Sequence, residues 1–233
     1  MYKDFSIVIP TLNEEENIKV LISKITKSLK GAEIIIVDDG SSDRTEERVK
    51  ASAKKYGGVR LIDRSLKKQK RGLTASVIEG FMNSRRRFVI VIDADLQHPP
   101  ERIKEIAMRL ESGKDLVVAV RESVVGWSLY RKVISKGLMK IGEFTLLVEN
   151  KSTCSDIFSG FFGIDRKLFA NVLRKNRRRF VGDGYKVLFD FLKCIEKDSL
   201  KIAEVPYRFN PREKGKSKAG LRQGIALLRS FLT

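Results

Sequence analysis

The chain has 233 residues, of which 42% are hydrophobic, and 47 basic against 29 acidic side chains give a formal charge of +18. That length can bury a full core, so one domain over residues 1–233 is the default, and no apolar run approaches the ~20 residues of a bilayer-crossing helix. Cys154 and Cys194 lack metal or redox spacing and are read as reduced thiols, and a single histidine, His98, excludes a multi-histidine zinc site. The positive excess favours a polyanionic partner, whether nucleic acid, an acidic membrane surface or a phosphorylated substrate, without choosing among them.

A strand is predicted over residues 5–9, followed by a helix over about 14–28 capped by Thr11 or Asn13. A second strand covers 33–37 and ends in Asp38-Asp39-Gly40-Ser41-Ser42-Asp43, whose last three residues are candidate caps for a helix reaching about Lys55. After the Gly57-Gly58 turn comes a strand over 59–62, then a basic loop over 64–71 carrying Lys67, Lys68, Lys70 and Arg71. A helix from Gly72 to about Ser84 leads to a strand over 88–92, a helix over 99–112 and a strand over 115–120. This alternation implies an α/β fold with a mostly parallel sheet and helices on both faces.

Beyond Arg121 the alternation weakens. Helices are expected over 127–148, 166–173 and 182–196, and a short strand over 159–164. Residues 202–208 read as an edge strand, because Pro206 has no N–H for a central ladder. Leu221, Ile225, Leu228 and Leu232 fall on one face of a basic amphipathic helix over about 218–232, which suits either the domain's own core or a membrane interface.

The strand over 88–92 runs directly into Asp93-Ala94-Asp95-Leu96-Gln97. Ligands of open α/β sheets sit beyond the carboxyl ends of the strands, and these oxygens can converge on one hard cation if the chain turns there. Mg²⁺ or Mn²⁺ held by few carboxylates completes its shell with phosphate oxygens. A plain surface turn is the blander reading of an Asp-x-Asp pair. The first strand is followed by Pro10-Thr-Leu-Asn-Glu-Glu-Glu, not Gly-x-Gly-x-x-Gly, and no P-loop spacing occurs, which excludes those two nucleotide sites. Asp38 or Asp39 can instead hydrogen-bond a base or ribose, while capping suits Asp43.

Residues 9–14 (Ile-Pro-Thr-Leu-Asn-Glu), 37–43 (Val-Asp-Asp-Gly-Ser-Ser-Asp) and 93–101 (Asp-Ala-Asp-Leu-Gln-His-Pro-Pro-Glu) together resemble family 2 glycosyltransferases of the GT-A fold. Residues 131–137, 156–162, 184–186, 204–209 and 212–218 narrow the resemblance to the polyprenyl-phosphate glycosyltransferases, dolichol-phosphate mannose synthases among them. The resemblance implies inverting transfer of a hexose from a nucleotide sugar, GDP-mannose first, to a dolichyl or polyprenyl phosphate. It puts Pro10, Asn13, Glu14, Asp38, Asp39, Arg71, Asp93 and Ala94 at the nucleotide, within a half spanning 1–121. Asp93, Asp95 and Gln97 become the Mg²⁺ or Mn²⁺ site. Asp95, Arg121 and Arg131 carry the catalytic assignment, and Arg131, Ser135, Arg212 and Lys218 hold acceptor phosphate in the half spanning 122–233. The sequence departs from the family at Gly72-Leu-Thr74, where Gly-Leu-Gly is usual, and in having no transmembrane helices before Thr233. A peripheral enzyme on the cytoplasmic side of a membrane, alone or with a separate membrane subunit, is therefore expected.

The chemistry is coherent. A departing nucleoside diphosphate gathers charge that a divalent cation neutralises, and a lipid phosphate is already an anionic nucleophile that needs no strong base. Arginine forks suit the phosphates. The same fold with a soluble or polysaccharide acceptor is the alternative. A nucleic-acid module ranks last, because the basic runs at 64–71, 85–87 and 174–179 carry no interleaved aromatics, and no nucleic-acid partner is expected.

Overall fold

The structure, a computed structural model, describes residues 1–65, 72–126, 128–181 and 186–212. Seven strands form one sheet: β1 (Phe5–Thr11), β2 (Glu33–Asp38), β3 (Val59–Asp63), β4 (Phe88–Val91), β5 (Leu116–Val124), β6 (Phe162–Asp165) and β7 (Ile202–Phe209). Their order is β3-β2-β1-β4-β6-β5-β7. Every pairing is parallel except the two made by β6, which runs antiparallel between β4 and β5. As expected, β7 is an edge strand, with Pro206 opposite Val120 of β5.

The helices are α1 (Ile18–Ser28), α2 (Thr45–Lys55), α3 (Leu73–Asn83), α4 (Ile103–Glu111), α5 (Leu129–Val148), α6 (Arg166–Lys175) and α7 (Val187–Leu192). The period-two geometry of the strands divides their apolar residues between two cores. Ile7, Ile9, Ile34, Ile36, Ile90 and Ile92 meet α1, α2 and α4 on one face. Val8, Ile35, Val37, Val89 and Val91 meet α3, α6 and α7 on the other. Burial on both faces explains why these strands read as unbroken apolar runs, each large side chain contributing about 1.5–3 kcal/mol.

Several boundaries differ from expectation. The first helix starts at Ile18 with no side-chain cap, because residues 12–17 form turns tied to the loop after β2. Ser41 and Ser42 likewise bond Asp38 and Asn13, not α2, while the Asp43 carboxylate does accept the Thr45 N–H at 3.0 Å in that helix's first turn. The strand expected over 159–164 begins only at Phe162, and β5 continues to Val124 through its long pairing with β7. The helix expected over 182–196 is confined to Val187–Leu192 within the described residues, and tight turns follow it. Arg71, Trp127, Lys218 and the helix expected over 218–232 lie outside the described residues.

Candidate active site

The sheet reverses its winding between β1 and β4: β1 leads outward to β2 and β3 on one side, and β4 begins the other. Such a reversal opens a crevice at the carboxyl ends of the strands, where backbone N–H and C=O groups have left the ladder and a ligand can reach them. Three loops border it, after β1, β2 and β4.

The first two loops are laced together. Asn13, in a left-handed conformation (φ 49°), donates its N–H to Ser41 Oγ at 2.7 Å and accepts the Ser42 N–H on Oδ1 at 2.7 Å. Glu14 is buried, with its N–H on Thr45 Oγ1 at 2.8 Å and its carboxylate accepting Asn17 Nδ2 and Arg212. Pro10 lies inside β1, opposite Val37. Asp38 closes the turn at Ser41, accepting its N–H at 2.8 Å. Asp39 accepts the Gly72 N–H at 2.7 Å and pairs with the buried Arg64, so it fixes both ends of the basic loop.

After β4 the chain turns at Leu96. Leu96 adopts a left-handed φ of 62°, uncommon for a residue with a branched side chain and the kind of strain that collects at functional sites. Ala94 is buried in the core, between the two acids. One Asp93 oxygen, Oδ2, lies 3.2 Å from His98 Nε2, while Oδ1 is buried and has no hydrogen-bond partner among the described residues. Asp95 accepts the Gln97 N–H at 3.1 Å on Oδ1 and Arg212 Nη2 at 2.8 Å on Oδ2. Burial, and then repulsion from Asp93, raises the Asp95 carboxyl above its ordinary pKa, against the pull of His98 and Arg212. The Gln97 side chain is turned to the Asn210 carbonyl at 3.0 Å.

The cations approach from the other half of the sheet. Arg121, on β5, forks onto Asp156 at 2.6 and 2.8 Å, with both side chains largely buried. Lys186 donates to the Phe158 carbonyl at 3.1 Å, and burial plus the Arg121 charge lowers its ammonium to about 7, against Asp156 and Asp93. Arg131 and Ser135 stand on α5, Arg131 exposed in its first turn, where its N–H meets the Ser128 cap at 3.3 Å. Glu14, Asp93, Asp95, Arg121 and Arg212 are thus linked to one another by contacts or charge, whereas Arg131 and Ser135 belong to a separate helix.

The residues present fit a hard divalent cation. The donors are carboxylate oxygens, one of them orphaned in a buried position, and two acids close enough to repel would gain from a shared positive charge. Among the described residues no three His, Cys, Asp or Glu side chains form a ready-made cage.

In the sequence, His98 counted only as too few histidines for a zinc site, and Asp156 and Tyr207 had no role of their own. His98 is buried against Phe161, Tyr207 and Phe209, with Tyr207 Oη 2.7 Å from its Nδ1. Burial holds the Tyr207 phenol above its ordinary pKa, so it stays protonated. The one available signal was that the chain's single histidine stands three residues after Asp95.

The family model for glycosyl transferase family 2 matches residues 6–173. A dolichol-phosphate mannosyltransferase of Pyrococcus furiosus is 36% identical over 219 residues, 91% of this chain and 58% of that protein, so the chain spans little more than half of that relative. The dolichol-phosphate mannosyltransferase of Saccharomyces cerevisiae is 31% identical over 92% of this chain and 80% of its own length. In fold, the chain is similar to the Mycobacterium tuberculosis glucosyl-3-phosphoglycerate synthase crystallised with Mn²⁺, UDP-glucose and phosphoglyceric acid, with TM-score 0.68, 22% identity, and coverage of 98% of this chain and 80% of that one. The architecture is that of the GT-A fold, and the chain belongs to glycosyl transferase family 2.

Proposed function

We propose that this protein transfers a hexose with inversion, mannose from GDP-mannose being the leading donor, to the phosphate of a dolichyl or related polyprenyl phosphate, with Mg²⁺ or Mn²⁺ and at a membrane surface. The observation that carries this reading is a carboxylate pair, Asp93 and Asp95, at the mouth of the crevice, faced by forked arginines. The names of the relatives support the substrate class. Residues 1–121 would hold the donor and 122–233 the acceptor. Asn13, Glu14, Asp38 and Asp39 line the nucleotide end. Asp93 and Asp95 would hold the metal, with the Gln97 amide free to join them once it leaves Asn210. The bound ion supplies Lewis-acid stabilisation of the departing diphosphate. Arg121, its fork held by Asp156, gives a fixed positive charge for a phosphate, and Arg212, bridging Glu14 and Asp95, a second one. The attacking lipid phosphate carries its own charge, so no side chain has to remove a proton from it.

The membrane surface is supported by α5. Its residues Tyr130, Ile134, Ile141, Phe144 and Val148 recur at helical spacing and are exposed, interleaved with Arg131, Lys132, Lys136 and Lys140. That pattern suits an interfacial helix on anionic lipid. Among the described residues, no helix is long and apolar enough to cross a membrane. On this reading Arg131 and Ser135 meet the acceptor phosphate at the height of the headgroups.

The test is transfer of radiolabelled mannose from GDP-mannose to a polyprenyl phosphate in vesicles. Asp95→Ala should abolish it, a loss of at least about a hundredfold for a metal ligand, while the melting point stays near wild type. Full turnover in that variant ends the metal assignment. Transfer to water-soluble acceptors only, with no co-flotation on anionic vesicles, ends the lipid assignment.

A further inference from the structure

His98 is 4% exposed, enclosed by Phe161, Tyr207 and Phe209, with ring centroids 5.5, 5.5 and 5.3 Å away. Its two ring nitrogens face different partners: Nδ1 meets Tyr207 Oη at 2.7 Å, and Nε2 meets Asp93 Oδ2 at 3.2 Å. An ionised carboxylate only accepts, so Nε2 carries the proton toward Asp93. In the neutral ring Nδ1 is then the acceptor and the Tyr207 hydroxyl its donor. The chain of donors runs Tyr207 to His98 to Asp93. That direction holds for the neutral ring, since an imidazolium would donate from both nitrogens.

Gly160 leaves room for the Asp93 carboxylate. A Cβ placed there would stand 2.9 Å from Oδ2 and 3.2 Å from Oδ1, so only glycine leaves the carboxylate where it is. With Oδ2 engaged by His98, Oδ1 is buried and without a hydrogen-bond partner among the described residues. A carboxylate with one oxygen engaged and the other without a partner among the described residues suits a metal ligand. The hydrogen-bonded neighbours of such ligands set their orientation.

We infer that Tyr207 and His98 are positioning residues that orient Asp93 for a divalent cation, with Gly160 leaving the space its carboxylate occupies. The inference rests on the metal-dependent reading above and deepens it. His98 acts through Asp93 and touches neither donor nor acceptor.

The measurement is Mn²⁺ affinity, by paramagnetic resonance titration, for wild type and for Tyr207→Phe, His98→Gln and His98→Leu, alongside thermal melting and kinetics. Tyr207→Phe removes one oxygen and keeps the ring packing. It should weaken Mn²⁺ binding several-fold, with the melting point nearly unchanged. His98→Leu should weaken it by about ten- to a hundredfold. His98→Gln places an amide N–H near the Nε2 position and should recover part of that loss. In each variant the metal concentration for half-maximal rate should rise, and saturating metal should restore more of the rate in Tyr207→Phe than in His98→Leu. Equal Mn²⁺ affinity in wild type and Tyr207→Phe, or a His98→Gln no better than His98→Leu, overturns the inference. If His98→Leu fails to fold, the Tyr207→Phe titration alone decides. Wild-type protein that binds no Mn²⁺, even with a nucleoside diphosphate, defeats the metal reading itself, an outcome distinguishable from variants that match a metal-binding wild type.

Discussion

The Arg212 guanidinium bridges two acids of the crevice, donating to Asp95 Oδ2 at 2.8 Å and to Glu14 Oε1 at 3.2 Å. Two backbone-anchored contacts hold its segment in place: Gln97 Nε2 donates to the Asn210 carbonyl, and the Asn210 N–H to the Gln97 carbonyl, at 3.0 and 3.1 Å. The arginine therefore supplies positive charge at Asp95, and a metal ion held there as proposed would compete with it for one carboxylate. Arg212→Ala is expected to bind Mn²⁺ about tenfold more tightly in the absence of nucleotide, a gain of about 1.4 kcal/mol. Sugar transfer should nonetheless fall, because the phosphates lose a nearby positive charge. Metal titration and turnover of the same preparation check both halves. Unchanged or weaker metal binding would show that the guanidinium and the cation do not share Asp95.

Arg121 and Asp156 form a second pair with a different balance. Their side chains are 14% and 4% exposed, and the carboxylate takes both prongs of the fork. Deleting one member of a buried ion pair costs about 3–5 kcal/mol, since the other is left desolvated without its counter-charge. Asp156→Ala is expected to fall in that range by urea denaturation, and Asp156→Asn to cost less, because its amide oxygen still accepts one bond. Arg121→Lys should lose part of this stability and also transfer activity, an ammonium having no planar fork with which to hold Asp156 and stay fixed near the phosphates. An Asp156→Ala protein within about 1 kcal/mol of wild type would mean the pair is not holding this part of the sheet.

What the sequence makes legible follows from how local each cause is. The strands β1, β2 and β4 are buried on both faces, so their apolar runs and the acids that end them stand out in the chain itself. The turn needed at Asp93-Ala94-Asp95 was likewise foreseeable, and Leu96 makes it. Asn13 misleads as a cap because its partners, Ser41 and Ser42, are 28 and 29 residues away on another loop. The antiparallel β6 has four residues and no pattern that states its direction; its neighbours β4 and β5 impose it. His98 could not be read at all without Tyr207, 109 residues further on. Roles resting on one strand end are visible in sequence, and those requiring two distant segments are not.

Lys186 predicts a pH dependence. Burial, with the Arg121 charge, holds its ammonium near 7, against a reference of 10.5. Between those values the folded protein binds fewer protons than the unfolded chain, so stability rises as the pH climbs from about 7 toward 10.5 and is lost as it falls back. Lys186→Met is expected to flatten this slope and to stabilise the protein at pH 7, where the wild type shelters a partly charged amine. A nucleoside diphosphate bound near this amine would favour its charged form and draw a proton from solution at pH 8. Denaturant melts at half-unit pH steps, and calorimetry in buffers of different ionisation enthalpy, test the two statements separately. A slope that survives in Lys186→Met would place its origin in another group.

Gly80 lies on α3 against Val8 of β1, at the centre of the sheet that carries the site. A Cβ at Gly80 would stand 2.3 Å from Val8 Cγ1 and 2.9 Å from Cγ2, well inside contact distance. Helix propensity favours alanine over glycine by about 1 kcal/mol, whereas overpacking a filled core costs about 1–3 kcal/mol. Because Val8 is fully buried and β-branched, it has few rotamers with which to yield. The clash should win, and Gly80→Ala is expected to be destabilised by a net of up to about 2 kcal/mol. Val8→Ala alone should lose packing as well, but the double variant should be more stable than the sum of the single losses predicts, because the added methyl fills the space that Val8 vacates. Additive losses in a double-mutant cycle would show that α3 moves away from β1 to admit the methyl, and the spacing of these two elements would then be softer than the Gly80–Val8 contact implies.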